Sequence, residues 1–103
     1  MLDYKKITAN EAREMMKGDA IILDVRLEKE YNEGYINGAV LLSFHEIKEK
    51  AATALPDKDK TILTYCQSGA RSQRAAKLLL VLGYTSVYDF GGIEDWPGEL
   101  IKP

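Results

Sequence analysis

Cysteine and histidine are almost absent from this chain, which holds one of each in 103 residues. A single cysteine, Cys66, excludes an intramolecular disulfide and suits a reducing compartment. We therefore expect a cytoplasmic protein. One cysteine and one histidine also leave no group of residues with the spacing of a metal site, so no bound metal is expected.

Long apolar runs and an excess of basic residues are lacking as well. No stretch approaches the roughly 20 apolar residues of a membrane-spanning helix, and residues 1–6 contain no apolar segment of a signal peptide. The net charge is −2, and the basic residues are scattered along the chain. We expect neither a membrane nor a nucleic acid as a partner.

What remains is the composition of an ordinary small globular protein. Hydrophobic residues make up 46% of the chain and charged residues 29%, and both values are close to the average for such domains. A chain of 103 residues has room for one core, so a single domain over residues 1–103 is expected.

Short apolar segments alternate with segments of helical spacing. The predicted strands are Ala20–Leu23, Ala39–Leu42, Thr61–Tyr65 and Ser86–Tyr88. The predicted helices are one from the capping box of Thr8 and Glu11 to Gly18, then Glu28–Glu33, Phe44–Ala54 and Ser72–Leu82. Strands that alternate with helices imply an α/β fold: a mainly parallel sheet of four to five strands with helices on both faces.

Cys66 stands between a predicted strand and a predicted helix. A loop that leads into a helix directs backbone N–H groups into one concavity, where they and the helix dipole stabilise an anion. A thiol there should be partly thiolate at neutral pH. A lone cysteine is more often a small buried hydrophobe, but the strand–loop–helix context and the nearby Arg71 favour a reactive thiol.

Three sequence blocks resemble the signatures of the rhodanese family, the thiosulfate sulfurtransferases. The family's loop pattern of Cys, four residues, Arg and then Ser or Thr is matched by Cys66, Gly69, Arg71 and Ser72. An upstream block within residues 22–39 and a C-terminal block within residues 83–96 also match, in the family's order. The chain departs from the pattern at Tyr35, where the family has His, near Ser43, where it has Pro, and at Gln67, where many members have Arg.

The resemblance implies a rhodanese-like fold and a sulfurtransferase. In such an enzyme Cys66 takes a sulfane sulfur from a small donor such as thiosulfate, carries it as a persulfide, and passes it to cyanide or a thiol. Because sulfur itself is transferred, no organic cofactor is implied. A thioredoxin-like protein or a desulfurase is a candidate protein partner. The residues expected to bind the substrate are Gln67, Ser68, Gly69, Ala70, Arg71 and Ser72, mainly through backbone N–H groups.

Within this loop, the tight turn is expected to need a positive φ at Gly69. The charge of Arg71 is expected to attract the anionic donor. The neutral Gln67 is expected to weaken that attraction for a dianion such as thiosulfate.

Two other functions remain open at this point. Related phosphatases and arsenate reductases also place a cysteine thiolate in an anion cradle, but phosphatases of this fold have five residues between Cys and Arg. Here four residues separate Cys66 from Arg71, so the smaller cradle favours a sulfur atom over a phosphate. A non-catalytic binding module of the same fold typically lacks the cysteine that this chain keeps.

Residues outside the loop carry weaker expectations. Asp24 and Arg26 leave a strand end on the same face and are expected to form an ion pair that supports the site. His45 begins a predicted surface helix and is not expected to be catalytic. Gly91 and Gly92 form either a turn near the site or an ordinary tight turn. Trp96 is expected to pack in the core, and the charges from Arg26 to Glu30 are expected to form a solvated face.

Overall fold

A computed structural model of the chain describes residues 3–102. One sheet of five parallel strands is formed by β1 (Lys5–Lys6), β2 (Ile21–Asp24), β3 (Val40–Leu41), β4 (Ile62–Cys66) and β5 (Val87–Gly92). The strand order is β1-β5-β4-β2-β3, and β4 is central. The predicted α/β class and the mainly parallel sheet are confirmed.

Helices and helical turns connect the strands. They are α1 (Ala9–Met15), α2 (Glu28–Tyr31), α3 (Ile47–Ala54), α4 (Ala70–Val81) and two 3-10 turns at Phe44–Glu46 and Ile93–Asp95. The predicted capping box forms at α1, where the Glu11 N–H donates to Thr8 Oγ1 at 3.1 Å and the Thr8 N–H donates to Glu11 Oε1 at 2.9 Å. No helix in this described part of the chain is long and apolar enough to cross a membrane.

Most element boundaries differ from the prediction by one to three residues, and four differences affect the description of the fold. The helix expected to begin at Ser72 begins at Ala70 and ends at Val81, because Gly69 serves as its N-cap. The helix expected over Phe44–Ala54 divides into a 3-10 turn and α3. The last strand extends to Gly92, although glycine disfavours strands. The short edge strand β1 was missed because two exposed lysines carry no apolar pattern.

The core lies in two layers, one on each face of the sheet. Alternate residues of β4 point to opposite faces: Leu63 and Tyr65 pack with Ala12 of α1, while Ile62 and Cys66 pack in the other layer. That second layer includes residues of α3 and α4, so helices cover both faces as predicted. The thiol of Cys66 therefore lies on the α4 side of the sheet.

The chain reverses its direction of travel across the sheet between β2 and β4. From β2 the chain continues to β3 at one edge, and from β4 it continues to β5 on the other side. Such a reversal opens a crevice at the carboxyl ends of the two strands, which is where ligands bind in open parallel sheets. Asp24 ends β2 and Cys66 ends β4, so both lie at this crevice.

Candidate active site

The thiol of Cys66 lies beneath a three-residue turn that joins β4 to α4. Its side chain is fully buried, and the backbone N–H of Gly69 donates to Sγ at 2.9 Å. Gly69 adopts the positive φ expected from the sequence, +105°, which turns the chain into α4. A backbone N–H directed at sulfur stabilises negative charge that develops there.

The first turn of α4 adds further donors to the same region. The first bond within this helix runs from the Gln73 N–H to the Gly69 carbonyl. The N–H groups of Ala70, Arg71 and Ser72 therefore have no acceptor inside the helix. Unpaired N–H groups at a helix N-terminus form a site for an anion.

Two glycines of β5 pack directly against the turn. Gly92 is aligned with Cys66 across the sheet, after an irregularity in pairing between Thr64 and Cys66. A Cβ atom on Gly92 would lie 2.5 Å from the Gln67 carbonyl oxygen, and Gly91 has a φ of +93°. Of the two expectations for this pair, the structure supports the one that places it beside the site.

Ser72 joins α4 to β5 through its side chain. Its hydroxyl donates to Asp89 Oδ1 at 2.7 Å, and the Gly91 N–H donates to the same oxygen at 3.0 Å. Asp89 is fully buried, and its Oδ2 has no hydrogen-bond partner within residues 3–102. The hydroxyl of Ser72 is thus committed to the scaffold, whereas its backbone N–H has no acceptor inside α4.

A buried ion pair lies beside the turn at the end of β2. The guanidinium of Arg26 donates to both oxygens of Asp24, at 2.8 Å in the shortest bond, and the two side chains are 3% and 0% exposed. The Tyr65 hydroxyl donates to Asp24 Oδ2 at 2.7 Å and accepts the Ile36 N–H at 3.2 Å. Burial, and then the charge of Asp24, raises the pKa of Tyr65, so this hydroxyl stays protonated.

Arg26 also contacts the turn. Two further N–H groups donate to the Gly34 carbonyl at 2.7 Å and to Gln67 Oε1 at 3.2 Å. Burial acts to lower the pKa of Arg26, but the adjacent Asp24 carboxylate outweighs it and the pKa is raised. The pair predicted from the sequence therefore exists, and it reaches the residue that follows the thiol.

Arg71 is held by Glu30 of α2 through two parallel hydrogen bonds. The bonds are 2.6 Å and 2.8 Å long, and the Arg71 and Glu30 side chains are 33% and 23% exposed. The hydrogen bonds from Arg71 lower the pKa of Glu30 to about 2 and raise the pKa of Arg71. The expected solvated face from Arg26 to Glu30 is wrong at both ends, because each end residue pairs with an opposite charge.

Tyr35, which replaces the family's usual histidine, packs on the same short helix. Its ring stacks on that of Tyr31, with centroids 4.2 Å apart and planes 5° from parallel. Tyr31 is the last residue of α2 and directly follows Glu30. The stack therefore supports the helix that holds Arg71.

The remaining residues named from the sequence differ in their exposure. Ser68 and Ala70 are exposed and Gln67 is half-buried. His45 is exposed in a 3-10 turn, and the Trp96 ring packs against Phe90 with centroids 5.6 Å apart.

A surface groove lies elsewhere in the fold. It has a volume of about 700 Å³, and it is lined in part by Arg13, Lys17, Ile36 and Trp96. No residue from Cys66 to Ser72 lines it. The groove is therefore separate from the thiol, and its size does not identify the reactive centre.

Sequence reasoning missed three residues of this site: Glu30, Tyr65 and Asp89. A signal existed for Asp89, because an acidic residue inside an apolar strand such as β5 needs a buried partner. Tyr65 was visible only as an apolar strand residue. The alternating charges of residues 26–30 predict that Glu30 lies on a solvated face.

Two features define the class of this protein: a parallel sheet, and a cysteine at a strand end beneath the turn that leads into a helix. The model of the rhodanese-like domain family matches residues 8–99, and the chain belongs to this family.

Named relatives and solved structures agree with this assignment. The chain is 40% identical over 95 residues to the thiosulfate sulfurtransferase GlpE of Coxiella burnetii, covering 90% of this chain and 87% of the relative. It is 40% identical over 73 residues to the thiosulfate sulfurtransferase PspE of Escherichia coli, covering 71% and 70%.

Among solved structures, a rhodanese with anions from E. coli superposes with a TM-score of 0.76 at 36% identity, covering 82% of this chain and 99% of that one. A rhodanese-related protein from Thermoplasma volcanium gives a TM-score of 0.83 at 30% identity, with 95% and 98% covered.

Proposed function

We propose that this chain is a single-domain sulfurtransferase that takes a sulfane sulfur from a donor such as thiosulfate onto Cys66. The observation that carries the proposal is the 2.9 Å hydrogen bond from the Gly69 N–H to the sulfur of the only cysteine. The names of the relatives at 40% identity support the same reaction.

The reaction has two halves, and each half balances. The Cys66 thiolate attacks the outer sulfur of thiosulfate, the S–S bond of the donor breaks, and sulfite leaves with the electron pair. A persulfide, Cys66–S–S⁻, remains. Cyanide or a thiolate then attacks the outer sulfur, leaves as thiocyanate or a new persulfide, and restores the thiolate.

The roles of the surrounding residues follow from the contacts. The N–H groups of Gly69 and of residues 70–72 stabilise the anionic sulfur. The Asp24–Arg26 pair holds Gln67, and Gly92 supports the turn from β5. Arg71 adds positive charge near the thiol and is itself shared with Glu30.

We propose a thiol as the physiological acceptor, and as protein partner either a thioredoxin-like protein that accepts the sulfur or a persulfidated desulfurase that donates it. We expect a reducing compartment such as the cytoplasm, which keeps the thiol of Cys66 reduced. The chain has no second cysteine that could form a disulfide with Cys66 and so shield it from further oxidation.

Intact mass spectrometry tests the reaction directly. After incubation with thiosulfate, the protein should gain the mass of one sulfur atom, and cyanide should remove it and yield an equal amount of thiocyanate. Oxidation of the thiol to a sulfinic acid adds nearly the same mass, but cyanide does not reverse it. Cys66→Ser should show neither the gain nor thiocyanate, and turnover by that variant would exclude a persulfide on Cys66.

The same preparation distinguishes sulfur transfer from phosphate hydrolysis. The short spacing from Cys66 to Arg71 should fit a sulfur atom and exclude a phosphate. We expect cyanide-dependent sulfur transfer from thiosulfate and no hydrolysis of an aryl phosphate. Aryl phosphate turnover that is lost in Cys66→Ser would favour a phosphatase instead.

A further inference from the structure

The segment of residues 67–72, which follows the thiol, carries one charged side chain, that of Arg71 in the first turn of α4. A free guanidinium here would attract a dianionic donor strongly. The guanidinium is not free, because two of its N–H groups donate to the two oxygens of Glu30. The positive charge of Arg71 beside Cys66 is therefore already paired with the carboxylate of Glu30.

The acidic partner is fixed from two sides. Glu30 Oε1 also accepts the backbone N–H of Leu27 at 3.0 Å, which caps the start of α2. Moving the carboxylate away from Arg71 would uncap this helix as well as break the ion pair. The carboxylate is ionised at neutral pH, since its pKa is about 2. An incoming donor thus meets a persistent negative charge.

The second guanidinium near the turn is paired in the same way. Arg26 donates to both oxygens of Asp24, and its other contacts are the neutral Gly34 carbonyl and Gln67 side chain. Two guanidinium groups thus face two carboxylates, and their charges cancel. The attraction for a donor rests on backbone N–H groups, which carry partial charges.

We propose that Glu30 is a specificity-determining residue that biases the site against dianionic donors and in favour of donors with a charge of −1 or 0, such as alkyl persulfides. The proposal rests on the sulfurtransferase function proposed above. It assigns to Glu30 a role in donor selection that acts through Arg71 rather than by contact with the reacting sulfur. The neutral side chain of Gln67 acts in the same direction, because Gln67 and the Glu30–Arg71 pair both lower the positive charge at the turn.

Two small donors differ mainly in the charge that this proposal concerns. Thiosulfate is a dianion, and methanethiosulfonate is a monoanion with the same outer sulfur and the same type of S–S bond. Attack by Cys66 on that sulfur releases sulfite from the first and methanesulfinate from the second. The ratio of the two values of kcat/KM reports the charge preference of the first half-reaction.

Glu30→Gln is the appropriate variant, because glutamine keeps the length of the side chain and can still cap α2. We expect kcat/KM for thiosulfate to rise about threefold to tenfold, the size of effect that one nearby charge exerts in a partly screened site. The value for methanethiosulfonate should rise by a smaller factor. The difference should shrink at high salt, where the charges are screened.

Glu28→Gln provides a matched control, because it removes the same charge from the same helix at an exposed position. It should leave the donor ratio unchanged. A folded Glu30→Gln variant whose donor ratio equals that of the wild type, or falls, would overturn the role of Glu30 even though both donors load the protein. If neither donor loads wild-type protein, the proposed function itself fails, and the inference fails with it.

Discussion

Gly92 and Gln67 are in backbone-to-backbone contact: a Cβ atom on Gly92 would lie 2.5 Å from the carbonyl oxygen of Gln67 and 3.0 Å from the Cα of Ser68. The last residue of β5 thus supports the turn that follows the thiol. The φ of Gly92 is −105°, which any residue can adopt. Glycine is therefore required here for space and not for backbone conformation.

Gly92→Ala should displace the turn and impair persulfide formation. Overpacking of this kind costs about 1–3 kcal/mol, and a displaced Gly69 N–H no longer stabilises the thiolate, so we expect at least a roughly tenfold slower loading by thiosulfate. The measurement is the initial rate of mass gain, with the unfolding temperature recorded in parallel.

Gly18→Ala is the control for this change, because Gly18 is exposed and its added Cβ would have an ordinary 3.6 Å contact. It should load at the wild-type rate. Normal loading by Gly92→Ala would show that the turn tolerates displacement, against the geometry described here.

Arg71→Ala should lower kcat/KM for thiosulfate, and removing Glu30 as well should restore part of the loss. Loss of a charged hydrogen-bonding group costs about 1.5–3 kcal/mol, or roughly tenfold to a hundredfold in rate. Part of that loss arises because Glu30 is left unneutralised beside the turn. The double variant Arg71→Ala/Glu30→Gln should therefore be more active than Arg71→Ala alone.

Steady-state kinetics of the two single variants and the double variant form a thermodynamic cycle that measures this coupling. Strictly additive effects would mean that the ion pair does not influence donor use. A collapse of thermal stability with unchanged kinetics would assign Arg71 to the scaffold alone.

The Glu30–Arg71 pair should make stability depend on pH in the acid range. The folded-state pKa of Glu30 is about 2, below its ordinary value of 4.5. The pair therefore stabilises the folded protein above about pH 4.5, and this contribution is lost as the pH falls towards 2. Because the pair is partly exposed, we expect it to contribute about 1 kcal/mol.

Urea unfolding of wild type and Glu30→Gln, from neutral pH down to the lowest pH at which both fold, measures this difference. The wild type should be more stable at neutral pH, and its advantage should narrow below about pH 4.5. Glu28→Gln is the control for the loss of one charge, because Glu28 is exposed on the same helix. An advantage independent of pH would indicate that the ion pair does not stabilise the fold.

Tyr65→Phe should destabilise the protein by about 1–3 kcal/mol, because Asp24 loses a buried donor and the Ile36 N–H loses its acceptor. Chemical denaturation measures the change, and Tyr88→Phe, outside this network, is the control. The rate of sulfur loading onto Cys66 should be affected less than the free energy of unfolding, since Arg26 still holds Asp24. A loss of unfolding free energy smaller than that of the control would show that Tyr65 does not support the site.

The fold, the thiol and the Asp24–Arg26 pair could be predicted from local patterns, but the contacts between distant residues that organise the site could not. Apolar strands, the α1 capping box and the positive φ of Gly69 each depend on residues close together in the chain. The bonds Arg26–Gln67, Tyr65–Asp24 and Arg71–Glu30 each join residues 41 positions apart. No pattern along one segment encodes such pairs, because they arise only when β2 and β4 lie side by side.

The prediction of the element boundaries was wrong for a related reason. Pairing with β5 makes a strand of Lys5–Lys6 and pairing with β4 extends β5 through two glycines, so neighbours in the sheet outweigh local propensity. In the same way, the alternating charges of residues 26–30 predict a solvated face unless the opposite charges supplied by other elements are known.

The complete burial of Cys66 has a consequence for chemical damage. Because the thiol has no exposed surface, oxidants and alkylating agents can reach it only when the turn opens, as a sulfur donor must also do. The lifetime of the thiol is then set by how often the turn opens and by the size of the reagent, rather than by the intrinsic nucleophilicity of the sulfur. Small peroxides and bulky maleimides should therefore inactivate the protein at rates that differ far more than they do with a free thiol in solution.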